Sequence, residues 1–380
     1  MATRRATPDV VEKVFVHFSE LEDPRIARTR RHELMDVLVM SLCGVICGAD
    51  GWEALAEYAE SKQEWFEEVL GLQNGTPSAD TFRRVICALD TTAFEACFRS
   101  WIRDISQRFE REVVALDGKS LRGAFTSANS TTPLHLVSAW ATKQRLVLAQ
   151  KAAVGGASGE PAAMVAILKM LDLKGAIVTT DANGCTVAVT AAVRAAGGDY
   201  VVTLKGNRAP QLAHVQKTFA QATDSAMSKS STTNSGHGRQ EARIVYALPA
   251  AGWEWPDWCD VRSFVMVERV RETSEGQSTE THFYISSLKP NAELFADAIR
   301  AHWGIENELH WMLDVVFRED DQRIRDQRGA ENFAVLNRLA LMLLRNEKTR
   351  KVGAPTKRKR AGWSNEYLAR VLTCGLGQPE

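Results

Sequence analysis

Apolar residues recur at intervals of three and four from Pro8 to about Arg111, with no long alternating stretch, and this spacing predicts a succession of amphipathic helices. The clearest begins at Ser78, a ready N-cap, with Phe82, Val85 and Ile86 on its inward face and Arg83 and Arg84 toward solvent. Past residue 112 the pattern shortens. Apolar runs at 113–116, 134–141 and 145–153 predict strands, the last two joined as an antiparallel hairpin through Thr142, Lys143 and Gln144. A helix over 161–173, opened by Pro161, a strand over 176–180, a helix over 185–196 and a strand over 200–204 complete this stretch.

A three-strand meander followed by helix, strand, helix and strand requires a mixed sheet whose later strands run parallel through right-handed crossovers. The fold expected is therefore α/β, a ribonuclease H-like mixed sheet core behind a helical N-terminal region. Residues 210–288 read as a β-rich insertion, with strands at 263–270 and 282–286 and a Ser/Thr/Gly-rich loop at 228–238. A long helix capped by Asn291 should bury Leu294, Ala298, Ile305, Leu309, Met312 and Val316, and another covers 333–344. Beyond it Arg345, Lys348, Arg350, Lys351, Lys357, Arg358, Lys359 and Arg360, interrupted by Gly353 and Pro355, read as a flexible basic tail. The expected division is 1–111, helical; 112–344, catalytic, with the insertion at about 208–290; and 345–380, the tail.

Composition narrows the classes without choosing one. At 45% apolar and 25% charged residues a disordered chain is excluded, and 47 basic against 47 acidic residues means that any surface for a polyanion must be local. The seven cysteines form no CxxC pair, so neither a zinc site nor a disulfide framework is indicated. The apolar run 37–47 is too short to span a bilayer, and a cytoplasmic protein is expected.

Candidate chemistry lies at strand ends. Asp117 follows the run 113–116 and Asp181 follows 176–180, so both leave the C-terminal ends of buried strands, where crevices form in open sheets. For either alone a turn or helix cap is the simpler account, since glycine follows closely. Two in matching positions place like charges side by side, which a divalent cation would compensate. On the later helix His302, Glu306, His310 and Asp314 are spaced by four, flanked by Trp303 and Trp311; a zinc site there lacks the HExxH spacing.

These residues lie in stretches that resemble the DDE transposases of bacterial insertion sequences, in the group that includes the H-repeat-associated proteins. The stretches are 115–123 (ALDGKSLRG), 177–185 (IVTTDANGC), 197–207 (GGDYVVTLKGN), 237–243 (HGRQEAR) and 302–307 (HWGIEN) continuing through Leu309, His310 and Trp311 to Asp314. With Asp23, Pro24 and Arg25 the resemblance covers nearly the whole chain. It implies that Asp117, Asp181 and Glu306 are a catalytic, metal-binding triad holding two Mg²⁺ ions, with Mn²⁺ as a substitute. Relatives often carry Tyr, Arg and Lys around the Glu, where this chain has Ile299, His302 and Leu313, and residues 155–161 depart from an Asn- and Glu-containing pattern.

The resemblance further implies double-stranded DNA as substrate, both element ends and target, cut by hydrolysis and joined through the freed 3′-hydroxyl, with a homodimer on DNA near the nucleoid. Expected DNA contacts are Lys119, Lys205 and Asn207 past strand ends, His237 and Arg239 near the break, His302, Trp303, Asn307 and His310 around Glu306, and Arg83 and Arg84 on a recognition helix. Two rival readings are a silent DNA-binding descendant and a metal-dependent nuclease that never joins.

Overall fold

The computed structural model describes residues 16–125, 133–236, 239–273 and 276–373. From residue 34 on, the N-terminal spacing produces α1 (Leu34–Cys47), α2 (Trp52–Ser61), α3 (Gln63–Leu70), α4 (Ala79–Ala88) and α5 (Thr91–Ile105). Ser78 caps α4 by accepting the Thr81 N–H, and Phe82, Val85 and Ile86 are buried, as their spacing requires. Helix α1 is buried along most of its length against α11 (Gln327–Asn346), which also packs on α4 and α5. Among the described residues no single helix is long and apolar enough to cross a membrane.

Among the described residues nine strands form one sheet in the order β3-β2-β1-β4-β5-β9-β8-β7-β6. Strands β1 (Glu112–Phe125), β2 (Pro133–Ala141) and β3 (Leu146–Ala152) are the antiparallel meander, while β4 (Ala176–Thr180) and β5 (Asp199–Leu204) run parallel to β1 through the crossover helices α6 (Glu160–Leu168) and α7 (Val187–Ala195). This is the ribonuclease H-like order read from the sequence. The strands of segment 210–288 do not build a separate layer: β6 (Ser228–Gly236), β7 (Arg239–Pro249), β8 (Ser263–Thr273) and β9 (Gly276–Ser286) extend the same sheet antiparallel from β5.

Three local expectations are corrected. The segment expected to be β-rich from Pro210 opens with helix α8 (Ala209–Gln221), because proline sits in its first turn and Val215 and Phe219 are buried at helical spacing. The Ser/Thr-rich loop is the edge strand β6, whose polar side chains suit a solvated edge and whose backbone is paired to β7. The basic tail is folded into α12 (Ala354–Trp363) and α13 (Asn365–Thr373): Lys357 Nζ donates to the Leu344 carbonyl at 2.9 Å, and the Arg358 guanidinium donates to the Val45 carbonyl at 2.8 Å and lies 4.2 Å from the Phe317 ring centre.

Helix α9 (Ala292–Gly304), capped by Asn291, lies across one face of the sheet. Its Phe295 and Ala298 are fully buried among Val113, Ile177, Val201 and Val265, drawn from four different strands. The sheet thus fixes where the helix ends. There the long helix expected from the sequence is interrupted by a π-helical stretch, Ile305–His310, before the short α10 (Trp311–Val315). Such wide turns concentrate at functional sites.

Candidate active site

Parallel pairing puts Leu116 of β1 opposite Thr180 of β4, so the next register step holds Asp117 and Asp181 side by side. Alternation along a strand then sends both carboxylates to the face covered by α9. They open into a cavity of about 290 Å³ whose walls include Lys205, His302, Trp303 and Glu306. The sheet supplies two acids and the π-helical stretch the third.

Desolvation and crowding set the electrostatics. Burial first, then the charges of Asp181, Glu160 and Glu306, push the Asp117 carboxyl up to about 7. Burial and Glu160 also raise Asp181, against the N–H groups of Asn183 and Gly184, which donate to Asp181 Oδ1 at 2.9 and 3.2 Å, and against Lys205. Among the described residues no three His, Cys, Asp or Glu side chains are gathered at metal-ligand spacing. The donor set nevertheless fits a hard divalent cation: it is all oxygen, its two aspartates are partly desolvated and repel each other, and Glu306 reaches the same cavity from the exposed side of the helix.

The expected DNA contacts separate into three groups. Lys205 is exposed at the cavity wall, Trp303 is 47% exposed beside it, and exposed Asn307 lies in an adjoining groove with Lys143, Arg243, Arg269 and Arg300. Arg83 and Arg84 are exposed on α4, ion-paired with Asp80 at 2.5 and 3.7 Å, and are not among the residues of the cavity wall. Asn207 holds the loop after β4, its Nδ2 donating to the Ala182 carbonyl at 2.8 Å. His237 lies outside the described residues, as does the side chain of Arg239.

Three of the expected DNA contacts have partners inside the protein. Lys119 is buried and held by Asp314 at 2.6 Å, Asp320 at 2.9 Å and Glu319 at 3.5 Å; burial disfavours its charge, but these acids more than restore it and raise its pKa. His310 is buried with Nδ1 3.6 Å from Asp117 Oδ2, beyond hydrogen-bond length, and burial, Arg338 and Lys119 depress it to about 3, so it stands neutral behind the aspartate. His302 shares a 2.9 Å hydrogen bond with the Thr179 hydroxyl, and burial lowers its pKa to about 4. A polar stripe on a helix does not by itself tell its wet side from one pressed against a sheet.

Two further features of the site were not singled out in the sequence. Arg243 and Arg269 are cross-strand partners on β7 and β8, line the cavity, and share one acid, Glu241 Oε1, at 2.7 and 3.0 Å. Alternating charges at 241, 243, 269 and 271 in otherwise strand-like runs were the available signal. Glu160 is buried beside the aspartates at the start of α6, where a glycine-rich approach gave no periodicity to mark it.

Comparison with known proteins places the chain in a family. The family described as "Transposase DDE domain" matches residues 108–343, and "DDE_Tnp_1-associated" matches 15–102. The "H repeat-associated putative transposase YhhI" of Escherichia coli K12 is 33% identical over 371 residues, 95% of this chain and 98% of that protein. A protein of Xanthobacter autotrophicus named for its position in the dhlA 3′ region is 37% identical over 277 residues, 71% of this chain and 92% of its own. The "Inactive transposase YbfQ" of E. coli K12 matches over 76 residues, 34% identical, 20% of this chain and 90% of that protein. With the family match spanning well over half of its length, the chain belongs to the DDE transposase family.

Proposed function

We propose that the chain is a working DNA transposase in which Asp117, Asp181 and Glu306 bind Mg²⁺, or Mn²⁺ in its place, at the cavity. The observation that carries this reading is that Asp117 and Asp181 follow the paired residues Leu116 and Thr180 of parallel strands, line one cavity, and both have a raised pKa. Bound divalent cations supply the charge that activates an attacking oxygen and stabilises the leaving one. In the first step water attacks the phosphorus at an element end and the 3′-oxygen leaves. In the second that 3′-hydroxyl attacks a target phosphodiester, whose own 3′-oxygen departs.

The chain's own residues orient these steps. Asp117 and Asp181 are set by the sheet, Glu306 by the end of α9, and Lys205, Arg243 and Arg269 offer cationic walls to phosphates. Double-stranded DNA, as element end and as target, is the substrate, and a homodimer bringing two ends together is the working unit. The test is divalent-cation-dependent nicking and end-joining on DNA bearing the gene's own flanking sequences, comparing the native chain with Asp181→Asn. Native product in both steps with none from the variant supports the reading. Nicking without joining makes it a nuclease, and binding without product in either protein makes it a silent descendant.

A further inference from the structure

Behind the aspartates lies a second set of buried polar groups for which the triad has no use. Gly118 faces the side of β1 opposite Asp117, and a Cβ there would collide with both Glu160 Oε1 and His135 Nε2. The missing side chain is what lets Glu160 come up against the strand beside Asp117. Glu160 is 3% exposed and His135 6%. His135 Nδ1 is fixed by a 2.9 Å hydrogen bond with the Ser120 hydroxyl, while its buried Nε2, 3.8 Å from Glu160 Oε1, has no hydrogen-bond partner.

Asn183 ties this group to the cavity. Its side-chain Nδ2 donates to Glu160 Oε2 at 3.0 Å, and its backbone N–H donates to Asp181 Oδ1 at 2.9 Å, so one residue fastens two carboxylates. An acid in the first turn of a helix ordinarily turns to water or to the helix's own free N–H groups. Glu160 turns to Asn183 and to a histidine nitrogen that makes no hydrogen bond. Its charge is felt at both aspartates, second only to burial at Asp181. Burying a carboxylate beside two others is costly unless something else balances it.

We propose that Glu160 is a fourth carboxylate of the same cation centre, acting with Asp117 and Asp181 from the far side of Gly118, with Asn183 and His135 as its positioning residues. The proposal rests on the cation-dependent reading given above. It accounts for Gly118, for the two hydrogen bonds made by Asn183, and for a buried acid that Asn183 fastens by a single hydrogen bond.

The test is Mn²⁺ binding to the full-length chain without DNA, followed by the electron paramagnetic resonance of free Mn²⁺, for the native protein, Glu160→Gln and Asp181→Asn. Glutamine keeps an oxygen for Asn183 and removes only the charge. Glu160→Gln should weaken at least one bound Mn²⁺ by about 10-fold or more, the range seen when a site's supporting residues are lost. The cation-free unfolding temperature should rise, because one of four crowded acids has lost its charge. Affinity within about twofold of native, whatever the unfolding temperature, overturns the proposal. Asp181→Asn tells the two readings apart: if it too binds Mn²⁺ as the native chain does, the cation reading itself fails. If it loses Mn²⁺ while Glu160→Gln does not, only the role of Glu160 falls. Should Glu160→Gln not fold, Asn183→Ala leaves the charge and removes its fastening; weakening of about 10-fold is then expected, and unchanged affinity overturns the proposal.

Discussion

Two acid clusters stand two residues apart on one face of β1, and the chain treats them oppositely. Around Lys119 are Asp314, Glu319 and Asp320, and Glu319 is bound in turn by Arg338 at 2.8 Å, both side chains fully buried. Although burial works against the Glu319 charge, Arg338 and Lys119 outweigh it and hold its carboxyl below the ordinary range. Around Asp117 the outcome is the reverse: burial first, then Asp181, Glu160 and Glu306, drive its carboxyl up, and Lys205 is the cation that tempers Asp181. The same strand therefore carries one cluster balanced from within and another left short of positive charge. The first explains how α10 and the turn after it are pinned to β1; the second marks where a cation from solution has something to do.

The largest expected effect breaks the balanced cluster. Lys119→Met keeps the aliphatic stem and strips the charge, leaving three buried or half-buried acids short of a partner; removing one member of such a buried pair costs about 3–5 kcal/mol. Denaturant unfolding should show that loss, in Mg²⁺ or without it. A cost below about 1 kcal/mol would mean that the cluster is solvated and the contrast with Asp117 is false.

The next effect has the opposite sign. Asp117 has a folded pKa of about 7, above its unfolded value near 4, so the folded chain binds the extra proton and stability falls as pH rises between those values. Asp117→Asn should therefore stabilise the cation-free protein at about pH 8 by on the order of 1–3 kcal/mol, with the gain vanishing near pH 4. Thermal unfolding across pH measures it. Added Mg²⁺ should stabilise the native chain at pH 8 and the variant much less, since a ligand that binds only the folded state raises its stability by mass action. A variant less stable than native at pH 8 would show that Asp117 is already compensated inside the protein.

How much of this was open to a reader of the sequence follows from the range of each signal. Asp117 and Asp181 close short apolar runs, and parallel pairing follows from the order of elements, so their adjacency could be derived before any coordinates. Glu306 could not be joined to them: spacing set it in a polar stripe with His302, His310 and Asp314, but its helix is brought to the strands by Phe295 and Ala298 packing across the sheet, and its place in the triad came from the resemblance. Glu160 was hidden because glycines 155, 156 and 159 precede it with no period, and its meaning depends on Gly118 and Asn183. Lys119 and Arg358 look like surface cations in sequence; the acids and carbonyls that bury them come from distant segments. The π-helical stretch changes the hydrogen-bond ladder while leaving Ile305 and Leu309 buried at ordinary spacing, so periodicity passes over it.

The smallest expected effect sharpens the comparison at its edge. Lys205 is exposed on the cavity wall, so Lys205→Ala should change stability by less than about 0.5 kcal/mol. Its consequences divide by ligand. Removing a positive charge from an acid-rich site lessens repulsion of an incoming cation, so Mn²⁺ should bind the variant slightly tighter, by about twofold, a difference typical of one exposed charge pair. A phosphate contact works the other way: DNA affinity should fall, and the slope of log affinity against log salt should become shallower by about one unit, as for the loss of one released counterion. Isothermal titration with Mn²⁺ and a salt series with duplex DNA read the two separately. If both affinities fall together, Lys205 supports the fold of the loop after β5 rather than balancing the open cluster. If Mn²⁺ tightens while DNA weakens, the same wall that tempers Asp181 in the free chain is the one that meets the phosphate.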